Sequence, residues 1–344
     1  MKSFLLLFIF SFSFLVFINA QDENHQLKIS FASKEKSRVA VNALYTYKFE
    51  AHDSNQNNLS YSVKKLPAWL HYNAAKNSIS GIAKKVGQFP IHIMATNGKD
   101  TISQQFMLTV FDKQTTNILC LGNSITNGTS TFNSYRRDLW QMLHKGNYNF
   151  DFIGSWSKHH MGGEMPNADF DLDHEGHSGW TAADIFHAPN WDSTRGNINL
   201  WLEEYTLDIV LVELGTNDVF QCRKIPDVLK NFSDLIQLLR KKNKKVKIFF
   251  AQIPPLGSQW AEKKLCGNDS AYDQSIRNLN KAIAIFVKNN STISSPLFVV
   301  DQYSGITAAN QYDDIHPNLS GEKIMAQRWF DAIRQNGDLK RLMH

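Results

Sequence analysis

The sequence predicts two domains. A small all-β sandwich comes first, and an α/β domain follows in which a parallel sheet is covered by helices on both faces, giving three α/β/α layers. Three observations carry this reading. Residues 27–111 hold short, evenly spaced apolar runs rich in β-branched and aromatic side chains. A polar link at residues 112–116 then marks a change of texture. Beyond it, compact apolar runs alternate with helical patterns, which is the signature of a parallel sheet buried on both sides. At 344 residues the chain is long enough for two cores, and 42% hydrophobic against 20% charged residues excludes wholesale disorder.

In the first domain the candidate strands are residues 45–51, 59–63, 89–95 and 102–110. Ile91 and Ile93 alternate with His92 and Met94, so one face is apolar. Asn97-Gly98 is a hairpin turn signal between the last two runs. In the second domain, residues 117–121, 150–154, 208–214, 246–253 and 297–301 read as strands. Helical spacing covers residues 134–144, 225–241 and 273–288. In the second of these Val228, Leu229, Phe232, Leu235, Ile236 and Leu239 share a face. A last helix is expected from Ser320, as N-cap, through Ile324, Met325, Trp329 and Ile333.

The N-terminus, Met1-Lys2 followed by an apolar run to Ile18 and then Asn19-Ala20, reads as a secretory signal over residues 1–20. The sandwich is then expected over residues 21–112 and the α/β domain over 116–340. No cysteine follows the apolar run, so no lipid anchor is expected there, and no later stretch is apolar enough to span a bilayer. The product is expected to be secreted, periplasmic or at the cell surface, free of the membrane once the signal is removed; the alternative is an apolar run that stays uncleaved as a membrane anchor. The formal charge of +5 is dispersed. Its clearest cluster, residues 240–247, suits a helix C-terminus and does not interleave with aromatics, so no nucleic-acid partner is expected. Of the three cysteines, Cys120 falls in a buried strand and reads as an inert core residue. Cys222 and Cys266 both lie in loops after strands, and a disulfide between them stays open at this level.

In open parallel sheets, ligands bind beyond the carboxyl ends of the strands, so the residues just after each strand carry the functional argument. After the first strand comes Gly122-Asn123-Ser124-Ile125-Thr126-Asn127-Gly128. It lacks the spacing of a dinucleotide loop, the lysine of a P-loop and the G-x-S-x-G elbow. It does put Ser124 at the start of a helix, where backbone N–H groups meet an arriving oxyanion. After the third strand, Gly215-Thr216-Asn217-Asp218 offers the Asn217 amide as a further donor. After the last strand comes Asp313-Asp314-Ile315-His316-Pro317. Asp313 precedes His316 by three residues, so one turn of chain can bring its carboxylate to the imidazole, fixing the tautomer and stabilising the imidazolium. Asp314, two residues before, tends to point elsewhere. Between the second and third strands, His174-Glu175-Gly176-His177-Ser178-Gly179-Trp180 follows Asp171 and Asp173. Its spacing is not that of a metalloprotease helix, and no metal is expected. Gly179 there can bring its backbone N–H close to a substrate, where a side chain would obstruct.

Taken in order, a serine, a glycine, an asparagine and Asp-x-x-His each follow a sheet strand. This four-block pattern resembles the SGNH, or GDSL-like, hydrolases over about residues 116–335. Asn123 departs from the commoner G-D-S form but keeps a hydrogen-bonding side chain. Ser134-Tyr135-Arg136, Asp151-Phe152-Ile153-Gly154-Ser155 and the 174–180 segment resemble family 3 carbohydrate esterases of the acetylxylan esterase type. Leu66-Pro67-Ala68-Trp69-Leu70, Ile79-Ser80-Gly81 and Gly87-Gln88-Phe89-Pro90-Ile91 resemble Ig-like or cadherin-like modules of secreted bacterial enzymes.

The resemblance implies a flavodoxin-like sheet and acyl transfer without a cofactor. Ser124 would be nucleophile, His316 base and Asp313 its partner, and the oxyanion would be held by Ser124, Gly179 and Asn217. The implied substrate is an acetylated polysaccharide or oligosaccharide. Trp180, beside Gly179, is the expected sugar contact among Trp180, Trp191, Trp201 and Trp260. The alternatives are a lipid, thioester or small-ester hydrolase, and an inactive carbohydrate-binding protein. The sandwich, which shows no exposed aromatic row in its sequence, reads as a spacer.

Overall fold

The computed structural model describes residues 29–160, 162–263 and 271–342. The expected signal segment, residues 1–20, and Cys266 lie outside the described residues. Nine strands form the N-terminal part: β1 (Ile29–Phe31), β2 (Arg38–Ala40), β3 (Leu44–Lys48), β4 (Ala51–Asp53), β5 (Ser60–Lys65), β6 (Leu70–Asn73), β7 (Ser78–Ile82), β8 (Gly87–Thr96) and β9 (Thr101–Phe111). Sheets β2-β9-β8-β5 and β3-β7-β6 enclose a core of Tyr45, Tyr47, Phe49, Ile79, Ile91, Ile93, Phe106 and Leu108. The β8–β9 hairpin turns at Asn97-Gly98, and Asn97 Oδ1 accepts the Asp100 N–H at 2.7 Å. The single run expected at residues 45–51 is instead two elements. β3 ends at Lys48, and the chain restarts at Ala51 as β4 to pair with β1.

The second part runs β10 (Thr116–Gly122), α1 (Ser124–Asn127), α2 (Tyr135–Lys145), β11 (Phe150–Ile153), β12 (Glu175–Gly176), α3 (Ile198–Glu204), β13 (Ile209–Glu213), α4 (Thr216–Phe220) and α5 (Ile225–Lys242). It continues with β14 (Lys247–Gln252), α6 (Ser258–Ala261), α7 (Tyr272–Asn290), β15 (Leu297–Asp301) and α8 (Leu319–Asn336). The strands are parallel in the order β11-β10-β13-β14-β15, and β12 joins β10 beyond the end of β11. Alternate residues separate cleanly by face, as a pleated strand requires. Leu119, Leu121, Val210, Val212, Ile248 and Phe250 share a core with α5 and α7. Ile118, Cys120, Ile209, Leu211, Phe249 and Ala251 share one with α2 and α8. Burial on both faces explains why these strands read as unbroken apolar runs. The last helix is capped by Asn318, not Ser320. The Asn318 Oδ1 accepts the Ser320 and Gly321 N–H groups at 3.0 and 3.3 Å, because helical geometry begins at Leu319. Cys120 is buried and free, and burial pushes its thiol up to about 12. Cys222 is disulfide-bonded.

The sandwich packs along the β11 edge of the α/β domain. Arg38 Nη1 meets Asp151 Oδ2 at 2.7 Å, and its Nη2 donates to Asn117 Oδ1 at 2.9 Å. Ser37 donates to Asp173 Oδ2 at 2.7 Å, and the Lys34 ammonium donates to the Ser155 carbonyl at 3.0 Å. Burial pushes the Asp173 carboxyl up to about 7. Elsewhere it raises Asp218, after β13, to about 6 and Glu322, in α8, to about 8. A carboxyl raised on folding keeps its proton longer in the native state than in the unfolded chain. Stability is therefore fullest below the unfolded value near about pH 4 and is lost as pH climbs through the folded values. The thermal midpoint is expected to fall by several degrees between pH 5 and 8.5, and Glu322→Gln should flatten the part above pH 7. Calorimetry across that interval checks this, and a midpoint that climbs with pH contradicts it.

Candidate active site

Ser124 opens α1 directly after β10. The Asn123 side chain caps that short helix, its Oδ1 accepting the Ile125 N–H at 2.8 Å. Asparagine thus supplies the acceptor that an aspartate in G-D-S would supply. The first N–H groups of any helix lack intrahelical partners, so the backbone at Ser124 is available to an anion. His316, from the loop before α8, places Nε2 2.8 Å from Ser124 Oγ. Its Nδ1 lies 2.7 Å from Asp313 Oδ2, while Asp313 Oδ1 accepts the N–H groups of His316 (2.7 Å) and Ile315 (3.1 Å). Burial alone would raise the Asp313 carboxyl. The hydrogen bonds from the His316 ring and backbone and from Ile315 outweigh it and hold the group below its ordinary value. An ionised Asp313 accepts a hydrogen bond from Nδ1–H, which keeps that proton on Nδ1 and leaves Nε2 as acceptor for the Ser124 hydroxyl. Asp314 turns away, with φ of 63°. Its Oδ2 accepts the Gln259 N–H at 3.0 Å and its carbonyl accepts the Gly257 N–H at 2.7 Å.

Asn217 sits in the first turn of α4, after β13. One amide proton donates to the Trp180 carbonyl at 2.8 Å, which orients the group and leaves its second proton unused by that bond. Gly179 has φ of +82°, a conformation that side-chain residues rarely adopt. A Cβ there would lie 3.2 Å from the Trp191 ring, so the exposed indole of Trp191 (67% accessible) borders Gly179. Gly176 is needed for a different reason. Its β12 backbone lies so close to α1 that a Cβ would come within 2.5 Å of the Asn127 nitrogen. The Asn127 amide in turn donates to Ser178 Oγ at 3.2 Å, joining the helix that carries Ser124 to the 177–179 loop.

Trp180 does not fit the expected role of sugar contact. Its side chain has no exposed surface. The indole N–H donates to Asp192 Oδ2 at 3.0 Å, and the ring stacks on His177 at 4.3 Å and on Trp201 at 6.1 Å, with His177 and Trp201 also stacked at 4.7 Å. A ring so enclosed cannot stack on a ligand. Its contribution here is the backbone carbonyl that holds Asn217. On the histidine side, Tyr312 is partly exposed and stacks on both Phe132 (4.5 Å) and His316 (5.6 Å). The acidic and histidine-rich 171–177 segment is tied to protein partners. Glu175 accepts from Ser155 N–H (2.6 Å), Ser155 Oγ (3.1 Å), Tyr205 OH (3.0 Å) and His177 Nε2 (3.0 Å), and His174 Nδ1 accepts the Gly176 N–H at 2.8 Å.

Two supporting residues escaped the sequence reading as functional. Arg136 is fully buried in α2. Its Nε donates to the Thr126 carbonyl (2.8 Å), Nη2 to the Asn127 carbonyl (3.2 Å) and Nη1 to the Leu172 carbonyl (3.0 Å). It therefore binds the carbonyl end of the helix that carries Ser124. The available signal was its position, since residues 136, 139, 140 and 143 have the i, i+3, i+4, i+7 spacing of one helix face. Glu322, buried in α8, accepts the Ser134 N–H at 2.6 Å and so ties the helix following His316 to the segment following Ser124.

Comparison with known proteins agrees with this architecture. The model of the GDSL-like Lipase/Acylhydrolase family matches residues 120–324, more than half of the chain, and an Ig domain family matches residues 29–111. A multidomain esterase of Ruminococcus flavefaciens is 28% identical over 231 residues, which are 64% of this chain and 28% of that protein's length. Among solved structures, a family 3 carbohydrate esterase from Talaromyces cellulolyticus is 29% identical with a TM-score of 0.52, covering 64% of this chain and 97% of that one. An acetyl esterase mutant with acetate ion gives the same values. Strand order, placement of the site beyond the strands and the extent of the family match lead to one assignment: the chain belongs to the GDSL-like lipase/acylhydrolase family.

Proposed function

We propose that this protein is a secreted serine esterase that removes acetyl groups from a polysaccharide or its oligosaccharides. The observation that carries the reading is the continuous contact from Ser124 through His316 to Asp313. In the proposed reaction His316 Nε2 takes the Ser124 proton as Oγ attacks the ester carbonyl. The Ser124 and Gly179 backbone N–H groups and the free Asn217 amide proton face the oxyanion. Collapse of the tetrahedral species breaks the bond to the sugar oxygen, which receives the proton from His316. Water, deprotonated by the same imidazole, then attacks the acyl-enzyme, and acetate leaves as Ser124 recovers its proton. Likeness to an acetyl esterase and to a family 3 carbohydrate esterase supports a short acyl group on a sugar. The exposed Trp191, beside Gly179, takes over the substrate-facing role first given to Trp180 and supports a flat, partly apolar leaving group such as a pyranose.

The test is acetate release from acetylated xylan, with p-nitrophenyl acetate and butyrate assayed beside it. Acetate is expected from the polymer, with acetate preferred over butyrate among the small esters. Asn217→Ala should lower turnover on all cleaved substrates by about 10²–10³ and remain folded. Cleavage of the small esters alone would reject the polysaccharide. Near-normal turnover in Asn217→Ala would remove that residue from the oxyanion site.

A further inference from the structure

The two domains enclose a cavity of about 850 Å³, within the size range of small-molecule sites. Its one wall belongs to the sandwich, at residues 29–35 and 101–104. The other belongs to the α/β domain, at residues 155–158 and 194–196 with Leu200 and Trp201. We propose that this cleft is a subsite for a neutral glycan chain reaching from Ser124, so that the Ig-like domain forms part of the substrate-binding surface instead of acting as a spacer. The proposal rests on the glycan esterase reading above.

Position comes first. Ser124 follows β10 and Ser155 follows β11, two adjacent parallel strands, so catalytic serine and cleft lie off the same end of the sheet. One short segment joins them. In the turn Asn190–Arg195, Trp191 borders Gly179, while Thr194 and Arg195 line the cleft. His177, two residues before Gly179, lines it as well. A chain with its acetylated unit at Ser124 can therefore run across Trp191 into the space between the domains.

The lining chemistry selects the ligand. The Ser30 and Ser103 hydroxyls lie among the apolar surfaces of Phe31, Trp156 and Leu200, while Ser33 bonds to Glu50 and Tyr47 and Ser155 to Glu175. Sugars present the complementary combination of hydroxyls that both donate and accept with C–H faces that lie on rings. The cations at the cleft are already engaged. Lys34 binds the Ser155 carbonyl, Lys158 lies 3.7 Å from Glu164, and Arg195 Nε donates to Asp192 at 3.1 Å, so no free cationic cluster is left to favour a polyanion.

Three polar atoms on lining residues lack hydrogen-bond partners among the described residues: Trp156 Nε1, Arg195 Nη1 and His177 Nδ1. His177 is only 2% exposed and packed against Trp180 and Trp201, with Nε2 occupied by Glu175. The Arg195 guanidinium stacks 3.3 Å from the Trp156 ring centre and fixes that indole. All three atoms are buried behind the lining surface. The Arg38–Asp151 and Ser37–Asp173 contacts hold the far wall in register.

Ser30→Trp and Ser103→Trp, both on the sandwich wall and outside the catalytic machinery, would fill the cleft. Acetylated xylo- and manno-oligosaccharides of two and six units serve as substrates, with p-nitrophenyl acetate as control. The wild type is expected to show kcat/KM about tenfold higher on a hexamer than on its dimer, equivalent to ~1.4 kcal/mol. Either filled variant should erase that advantage through KM, with the dimer and p-nitrophenyl acetate rates unchanged. A hexamer no better than the dimer, or an advantage that survives in both variants, overturns the cleft proposal while the glycan esterase stands. Refusal of every sugar ester with p-nitrophenyl acetate still cleaved sinks the substrate reading, and the cleft with it.

Discussion

Ser124→Ala and His316→Ala are each expected to lower turnover of p-nitrophenyl acetate by at least about 10⁴-fold, and the double variant by little more than either alone. The two groups act as one unit. Without the hydroxyl there is nothing for Nε2, 2.8 Å away, to deprotonate, and without the ring the hydroxyl is a weak nucleophile. Asp313→Asn should also be severe, because a carboxamide beside Nδ1 can stabilise the wrong tautomer and cannot offset an imidazolium charge. Asp314→Asn should change the rate by only a few-fold, since that side chain accepts from Gln259 and not from the ring. Single-turnover kinetics with thermal melts of all five proteins decide the matter. Losses that multiply in the double variant would show that His316 acts independently of Ser124.

Arg136→Met is expected to cost about 3 kcal/mol or more of stability, although it nearly preserves side-chain volume. Three buried carbonyls, those of Thr126, Asn127 and Leu172, would lose charge-assisted donors in the interior. Two of them terminate the helix that starts at Ser124, so the nucleophile should lose its fixed approach to His316 as well. Denaturant unfolding should show the lower midpoint, and kcat should fall more than KM rises. Arg136→Lys, with one point charge where a planar fork made three bonds, should recover only part of either quantity. A variant as stable as the wild type would mean that the three carbonyls find other partners.

The residues that do the proposed chemistry were the most legible because each depends on local spacing. Asp313 and His316 are one turn apart, so their contact is nearly a property of the tetrapeptide they bound. Ser124 and Asn217 announced themselves by following apolar runs, and the strand order 2-1-3-4-5 of the α/β domain put both beside its switch point. What was misread or missed depends on distant partners. Whether Trp180 faces ligand or core is settled by His177, Trp201 and Asp192, and a loop sequence carries no periodicity from which to read that. The partner of Glu322 is 188 residues away. β1, β2 and β4 are three residues each, too short to show alternation, and they are ordered by pairing alone. The cleft belongs to neither domain's sequence, because it exists only once Arg38 has docked on Asp151.

The proposed nucleophile and base, Ser124 and His316, stand 192 residues apart in the chain. At ordinary rates of synthesis, about 5–20 residues per second, the ribosome makes Ser124 some tens of seconds before His316. Throughout that interval the growing polypeptide carries a serine with no base to activate it. On the proposed mechanism the chain is thereby silent until almost all of the family-matched segment has been made. The delay follows from the order in which the strands reach the sheet and needs no inhibitor or propeptide.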